Sequence, residues 1–237
     1  MDKKEFYRKQ HGYRDDGQPI DWPLWIANSG VAQTFQPGAR YAAVADLLGS
    51  CANKPRILEI GCGSGLACAY MLQHAATVTG VDIDSPPHLK NNREPRLNFV
   101  EYDADGIWPF PDQSFDLVVA MMVVEHVFDP FHFVDEARRV LVRGGSFIIN
   151  VPIITYFKHR LKFLLGQVPT TSSAGWFEER SWDGGHIHNF NVPLVDRLLT
   201  EAGFRVRRRV AVGQAARLKS LFPNLLAAEL TFVADAV

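Results

Sequence analysis

One short run constrains this chain more than any other: Arg56-Ile57-Leu58-Glu59-Ile60-Gly61-Cys62-Gly63-Ser64-Gly65. An apolar strand with a carboxylate near its end breaks into three glycines at alternate positions. Glycine there lets backbone N–H groups approach a ligand that a Cβ would hold off. The helical pattern that follows, Leu66 to His74, opens with unpaired N–H donors and a partial positive charge, which suits an anionic group. Thr77-Val78-Thr79-Gly80-Val81 then reads as a short buried strand, with Asp82 at its end. Strand, glycine loop, helix, strand and acid is the order of a nucleotide-type cofactor site. An acid at that place can accept hydrogen bonds from the two hydroxyls of a ribose. The spacing Gly-x-Gly-x-Gly differs from the Gly-x-Gly-x-x-Gly of nicotinamide dehydrogenases, which disfavours a nicotinamide-dependent oxidoreductase.

The rest of the chain fits one α/β domain. It has 237 residues, of which 47% are hydrophobic, enough for a buried core. From Arg56 to Val151 apolar strands alternate with helices, the pattern of a parallel sheet covered on both faces. Residues 1–38 read as an irregular N-terminal arm rich in aromatics, glycine and proline, including Tyr13, Trp22 and Trp25. Residues 39–151 form the cofactor-binding core, 152–191 an insertion, and 192–237 the completion of the sheet. A net charge of −1 supplies no global field for nucleic acid, so no nucleic-acid partner is expected. Cys51, Cys62 and Cys68 form neither a Cys-x-x-Cys pair nor a secreted disulfide framework. The start lacks the apolar stretch of a signal peptide, and no uncharged apolar run reaches membrane-spanning length. A reducing cytoplasm is the expectation.

Several motifs in order resemble the class I S-adenosylmethionine-dependent methyltransferases, and within them the small-molecule, ubiquinone-biosynthesis-like group. Ile57 to Gly65 is similar to their first motif and Val81-Asp82-Ile83-Asp84 to their ribose motif. Asn98 to Ala104, followed by Trp108-Pro109-Phe110, resembles the adenine-side motif. Ser114 to Val119 resembles the fourth strand, Val124-Glu125-His126-Val127 the Glu-His signature after it, and Glu136 to Val151 the next helix, turn and strand. Glu201-Ala202-Gly203-Phe204 resembles the turn into the sixth strand. The resemblance covers roughly 39–151 and 186 to the end. It implies a Rossmann-like, seven-stranded, mostly parallel sheet with helices on both faces, an antiparallel last strand and a lid insertion after strand 5.

The same resemblance implies the site. S-adenosylmethionine is the cofactor. Gly61, Cys62 and Gly63 line its methionine and ribose side, and Glu59 orients the loop and the amino group. Asp82 takes the ribose hydroxyls, Ile83 covers adenine, Asp103 accepts from the adenine amino group, Ala104 offers a backbone N–H, and Met121 adds to the wall. Read alone, Asp82 or Asp103 is as well explained as a helix cap or turn acid. Their places after successive strands, where open α/β sheets bind ligands, favour the cofactor role. His126 and His186 are the catalytic candidates on the acceptor side; structural support is the competing role for both. Relatives with a second glutamate three positions before Glu125 can bind a metal, but Met122 stands there, so no metal is expected.

The acceptor is expected to be a small molecule, or one linked to a lipid or saccharide, with oxygen as the methylated atom. The chain lacks an Asp/Asn-Pro-Pro-Tyr motif after the fourth strand, which argues against methylation of DNA base amines. A non-catalytic module that binds the cofactor without turnover is the alternative reading. The aromatic insertion, with Tyr156, Phe157, Phe163, Trp176, Phe177 and Trp182, is expected to form the acceptor lid. Within it Ile153 to Leu165 is amphipathic and basic. Amphipathic helices mostly face a core, so packing on the domain is the favoured reading, with peripheral membrane contact through 153–165 the second.

Overall fold

The structure, a computed structural model, describes residues 21–172 and 182–237. Five strands run parallel: β1 (Arg56–Ile60), β2 (Thr77–Asp82), β3 (Leu97–Glu101), β4 (Phe115–Met121) and β5 (Leu141–Pro152). β6 (Phe204–Ala211) and β7 (Glu229–Ala236) complete the sheet. The order across it is β3-β2-β1-β4-β5-β7-β6, and β7 runs antiparallel to both neighbours. This is the Rossmann-like sheet expected from the motifs.

Strand side chains alternate between faces, and both faces here are apolar. Ile57, Val78, Leu117, Val119 and Ile148 point into one core. Leu58, Ile60, Val118, Ala120, Phe147 and Ile149 point into the other. The first core is closed by α1 (Trp22–Ser29), α2 (Ala42–Ser50) and α3 (Leu66–Met71). The second is closed by α5 (Pro130–Val140) and α7 (Val192–Glu201); α4 (Pro87–Lys90) lies between β2 and β3. Burying a side chain such as Phe147 or Ile148, both at 0% exposure, stabilises by about 1.5–3 kcal/mol each.

Local chemistry sets the ends of these helices. Asp129 caps α5 by accepting from the N–H groups of Phe131 and His132, with Pro130 in the first turn, where a missing N–H costs nothing. Asn191 caps α7 through the N–H of Leu194. The sheet order reverses between β1 and β4, so their carboxyl ends leave a crevice between the diverging connections.

Two segments depart from the sequence reading. Residues 21–38 are not irregular: Asp21 caps α1 and a 3-10 turn covers Val31–Phe35. Trp22 is buried there, donating Nε1–H to Asn92 Oδ1 at 2.8 Å and stacking on Phe99, and Phe35 stacks on Tyr70 at 4.3 Å. Trp22 and Phe35 are core residues and Trp25 packs half-buried beside them, while Tyr13 lies outside the described residues. The second departure is α6 (Phe157–Leu164), which has no buried residue. The favoured packing on the domain therefore fails for the helix itself, while Ile153, at the start of the 153–165 segment, is buried in the core. Two further short helices, α8 (Ala216–Lys219) and α9 (Pro223–Leu226), are likewise unburied.

Candidate active site

A cavity of about 230 Å³ opens at the carboxyl ends of β1, β2, β3 and β4. Its wall brings together Gly61, Asp82, Ile83, Asp103, Ala104, Met121 and His126, seven residues singled out from the sequence. Arg40, Tyr102, Met122, Val123 and Val127 complete much of the rest. Glu59, Cys62, Gly63 and His186 do not line it.

The loop works differently from the sequence expectation. The N–H groups of Gly61 and Cys62 both bond to the Val81 carbonyl, at 2.8 and 3.0 Å, and that of Gly63 bonds to Asp82 Oδ2 at 2.7 Å. These donors stitch the loop to the end of β2, so they are spent before any ligand arrives. The glycine at position 61 is required for space and conformation instead. Its φ is +76°, and a Cβ there would lie 2.4 Å from Val123 Cγ2. Asp82 therefore does two things: it pins the loop and faces the cavity.

Glu59 sits behind the loop, fully buried. Its Oε1 accepts from Tyr41 Oη–H at 2.5 Å and its Oε2 from the Cys68 thiol at 2.8 Å. Burial pushes its carboxyl up to about 7, against these two hydrogen bonds, which lower it. Glu59 thus braces α2 and α3 against β1. Cys62 is buried beside Cys68, and both sulfurs crowd the space above Gly80.

Met122 ends β4 in the left-handed region, at φ +59°, an uncommon conformation for such a side chain. This bend sends Met121, Met122 and Val123 onto the cavity wall and starts the turn that carries Glu125 and His126. Asp103 Oδ1 accepts from the Asp105 N–H, so its turn role and its place on the wall coexist.

Beyond His126 lies a cluster that the sequence showed only in part. His126 Nδ1 is 3.2 Å from the Gly185 carbonyl, an acceptor, so Nδ1 carries the proton and Nε2 is the accepting nitrogen. The His186 ring is 4.7 Å away, edge to face. Its Nδ1 is 2.7 Å from Thr171 Oγ1, whose own hydroxyl proton goes to Asp183 Oδ2 at 2.8 Å. His186 Nδ1–H therefore donates, and its Nε2 points inward, 3.9 Å from Glu125 Oε1. Burial lowers the His186 pKa, against the raising charge of Asp183, so the ring is a neutral base at neutral pH.

Asp183 and Thr171 were missed. Asp183 is buried, at φ +46°, and also accepts from the N–H groups of Thr171 and Ser172. Gly184 and Gly185 follow it, also at positive φ. The run Asp183-Gly184-Gly185-His186 is the signal that could have found it: successive left-handed residues turn the chain so that acid and histidine meet one hydroxyl. Arg40 was missed too. It reaches the cavity wall while pairing through two nitrogens with Glu229, at 2.6 and 3.0 Å.

Glu125 is fully buried, and neither carboxylate oxygen has a hydrogen-bond partner on another residue. Burial pushes its carboxyl up to about 8, partly offset by its own backbone N–H and the charge of Arg40. Glu125, His126 and His186 bring one ligand atom each within 4.8 Å of one another and could hold a divalent ion. With its carboxyl raised by burial, Glu125 is instead protonated and uncharged at neutral pH.

The motifs, the sheet and the cavity agree with the sequence comparison. The family described as a methyltransferase domain matches residues 58–149. The chain carries a class I S-adenosylmethionine-dependent methyltransferase domain. S-adenosylmethionine is the cofactor of this domain. The methyltransferase domain is 31% identical over 173 residues to a protein of Mycolicibacterium smegmatis named a "probable S-adenosylmethionine-dependent methyltransferase", covering 72% of this chain and 60% of that one. It is 33% identical over 144 residues to a fatty-acid O-methyltransferase of the same organism, covering 58% of this chain and 50% of that one. The chain thus spans only about half to three fifths of these relatives' length. A solved S-adenosylmethionine-dependent methyltransferase from Mesorhizobium loti shares the fold, with a TM-score of 0.59, 19% identity, and coverage of 84% of this chain and 98% of that one.

Proposed function

We propose that this domain transfers a methyl group from S-adenosylmethionine to an oxygen atom of an apolar or lipid-linked acceptor. The observation that carries the reading is the placing of His126. Its ring reaches the wall of the cofactor cavity, and its accepting nitrogen is fixed by the Gly185 carbonyl on the other side of the ring.

The chain's own groups then divide the work. Asp82 holds the ribose, Ile83 and Met121 cover the adenine, and Asp103 with Ala104 reads its edge. Arg40 also reaches the wall, with its charge already paired to Glu229. Much of the rate comes from holding the methyl carbon in line with the acceptor oxygen. S-adenosylmethionine, when bound, would supply an electrophilic methyl group: the acceptor oxygen would gain the bond to carbon as the S–CH₃ bond is lost, leaving the sulfur as a neutral thioether. Where the acceptor is a hydroxyl, His126 Nε2 takes its proton, with His186 backing the ring at 4.7 Å. Where it is a carboxylate, no base is needed.

Several observations support an apolar acceptor. Phe128, Trp182 and Ile187 are exposed on segments that pack against the Glu125–His126 turn. One named relative is a fatty-acid O-methyltransferase. No metal is required by this scheme: Met122 occupies the place of a carboxylate, and Glu125 can carry its own proton. The free cysteines support a reducing compartment, and no described helix is long and apolar enough to cross a membrane.

The test is transfer of labelled methyl groups to a panel of fatty acids and hydroxylated lipids. His126→Ala should cut turnover on a hydroxyl acceptor about a hundredfold while weakening cofactor binding far less. Cofactor binding with no transfer to any acceptor would favour a non-catalytic module. Equal turnover by wild type and His126→Ala would remove His126 as base.

A further inference from the structure

The sheet topology gathers two unburied segments on one edge. α6 departs from the end of β5, while α8 and α9 connect the end of β6 to the start of β7. Pro152 at the end of β5 pairs with Glu229, and Ala211 at the end of β6 pairs with Leu230. Both segments therefore stand at the same end of the sheet as the cofactor cavity. They are also tied together. Thr155 Oγ1–H donates to Asn224 Oδ1 at 2.6 Å, and Arg160 donates to the carbonyls of Thr155 and Asn224 at 2.6 and 3.3 Å.

Their surface is unlike the rest of the molecule. Of the eighteen large apolar side chains exposed among the described residues, ten lie in 157–168 and 218–225. Leu164 is 83% exposed and Leu221 69%. Scattered exposed leucines need no explanation, but a concentration of this kind marks a surface that meets something apolar. The charges identify what it meets. Lys158, Arg160 and Lys162 lie in the first segment and Arg217 and Lys219 in the second, and neither 154–172 nor 213–227 contains an Asp or Glu. Apolar side chains flanked only by cations suit a surface that is apolar inside and anionic outside. A second copy of the chain would instead bring like charges together.

We propose that α6 together with residues 215–226 docks this domain on an anionic lipid bilayer, with the acceptor mouth turned toward the membrane. This deepens the lipid-acceptor reading and rests on it for its use, but binding is measured separately from transfer. Phe157 and Leu161 would enter the acyl boundary beside Leu221 and Phe222, and the lysines and arginines would lie among the headgroups. An acceptor would then reach His126 without crossing water.

The experiment is vesicle flotation with the full chain, using phosphatidylcholine alone or mixed with phosphatidylglycerol. Binding should be about tenfold or more tighter to the anionic vesicles and weaken as salt rises. The double variant Leu164→Asp, Leu221→Asp should lose at least about tenfold in vesicle affinity. Its S-adenosylmethionine affinity should be unchanged by calorimetry, since neither leucine is buried or lines the cavity. Three results would overturn the proposal. These are a wild type that binds neither vesicle, a double variant that binds as well as the wild type, and a chain that is a dimer which the variant dissociates. Methyl transfer to a dispersed short-chain acceptor separates the two readings. Transfer without vesicle binding sinks this inference alone; vesicle binding without transfer to any lipid sinks the acceptor reading alone.

Discussion

Asp82 offers a test in which two roles of one carboxylate can be measured apart. Its Oδ2 accepts from the Gly63 N–H at 2.7 Å, and the same side chain lies on the cavity wall. Charge-assisted hydrogen bonds contribute about 1.5–3 kcal/mol each. In Asp82→Ala the loop bond is lost with or without cofactor, so it lowers folding stability by about 1–2 kcal/mol and cancels from the binding equilibrium. The ribose bonds exist only in the complex. Losing one at the low end of its range weakens binding by at least about tenfold, and losing two by about 150-fold. Urea denaturation of the free domain reads the first quantity. Calorimetric titration with S-adenosylhomocysteine reads the second. Asp82→Asn keeps an amide oxygen for Gly63, so it should spare stability more than affinity. A folded Asp82→Ala domain that binds with unchanged affinity but is less stable would show that Asp82 only anchors the loop, and the ribose assignment would fall.

Other expectations concern the acceptor side. Glu125 titrates at about 8 in the fold against an ordinary 4.5, so the native state holds more protons than the unfolded chain between these values. Stability should be full below about pH 4.5 and fall as pH rises through about 8, by up to about 1.4 kcal/mol per unit. Glu125→Gln should flatten that slope in urea titrations, leaving a smaller one of the same sign from Glu59; an unaltered slope would mean that Glu125 is ionised in the native domain. Activity on the true acceptor should survive a strong chelator, whereas loss that zinc or magnesium restores would place an ion among Glu125, His126 and His186. Trp182→Ala should impair methyl transfer several-fold while leaving cofactor affinity within about twofold, and normal transfer would detach this part of the insertion from the acceptor. The matching expectation for Trp176 lies outside the described residues.

The sheet and most of the cofactor wall were legible because period and position carry them. Alternating apolar strands predicted the two-faced sheet, and acids after β2 and β3 fell where open sheets bind ligands. What was not legible depends on which partner a group finds. Nothing in Gly61-Cys62-Gly63 says that its N–H groups will be taken by Val81 and Asp82. Glu59 looked like a cofactor contact, yet Tyr41, at the start of α2, and Cys68, in α3, claim it. The Asp183–Thr171–His186 arrangement was only half legible: Asp183-Gly184-Gly185-His186 is a local run, but nothing in it names Thr171, twelve residues before Asp183, as the hydroxyl that both side chains meet. For α6, periodicity showed an apolar face correctly and burial incorrectly, because amphipathicity does not say what lies opposite.

The bonds between Thr171 and Asp183 have a consequence for how this domain can diversify. Within the insertion they clasp residues 171–172 to Asp183 with three hydrogen bonds, in two of which Asp183 accepts from the backbone N–H groups of Thr171 and Ser172. His186 bonds the same Thr171 hydroxyl, so its ring is held by this clasp. The residues between the two sides can then be lengthened, shortened or exchanged while the imidazole stays in place. A chimera with foreign residues exchanged between Ser172 and Trp182 should keep the His186 ring in place and, on the proposed reading, change only which acceptor is taken.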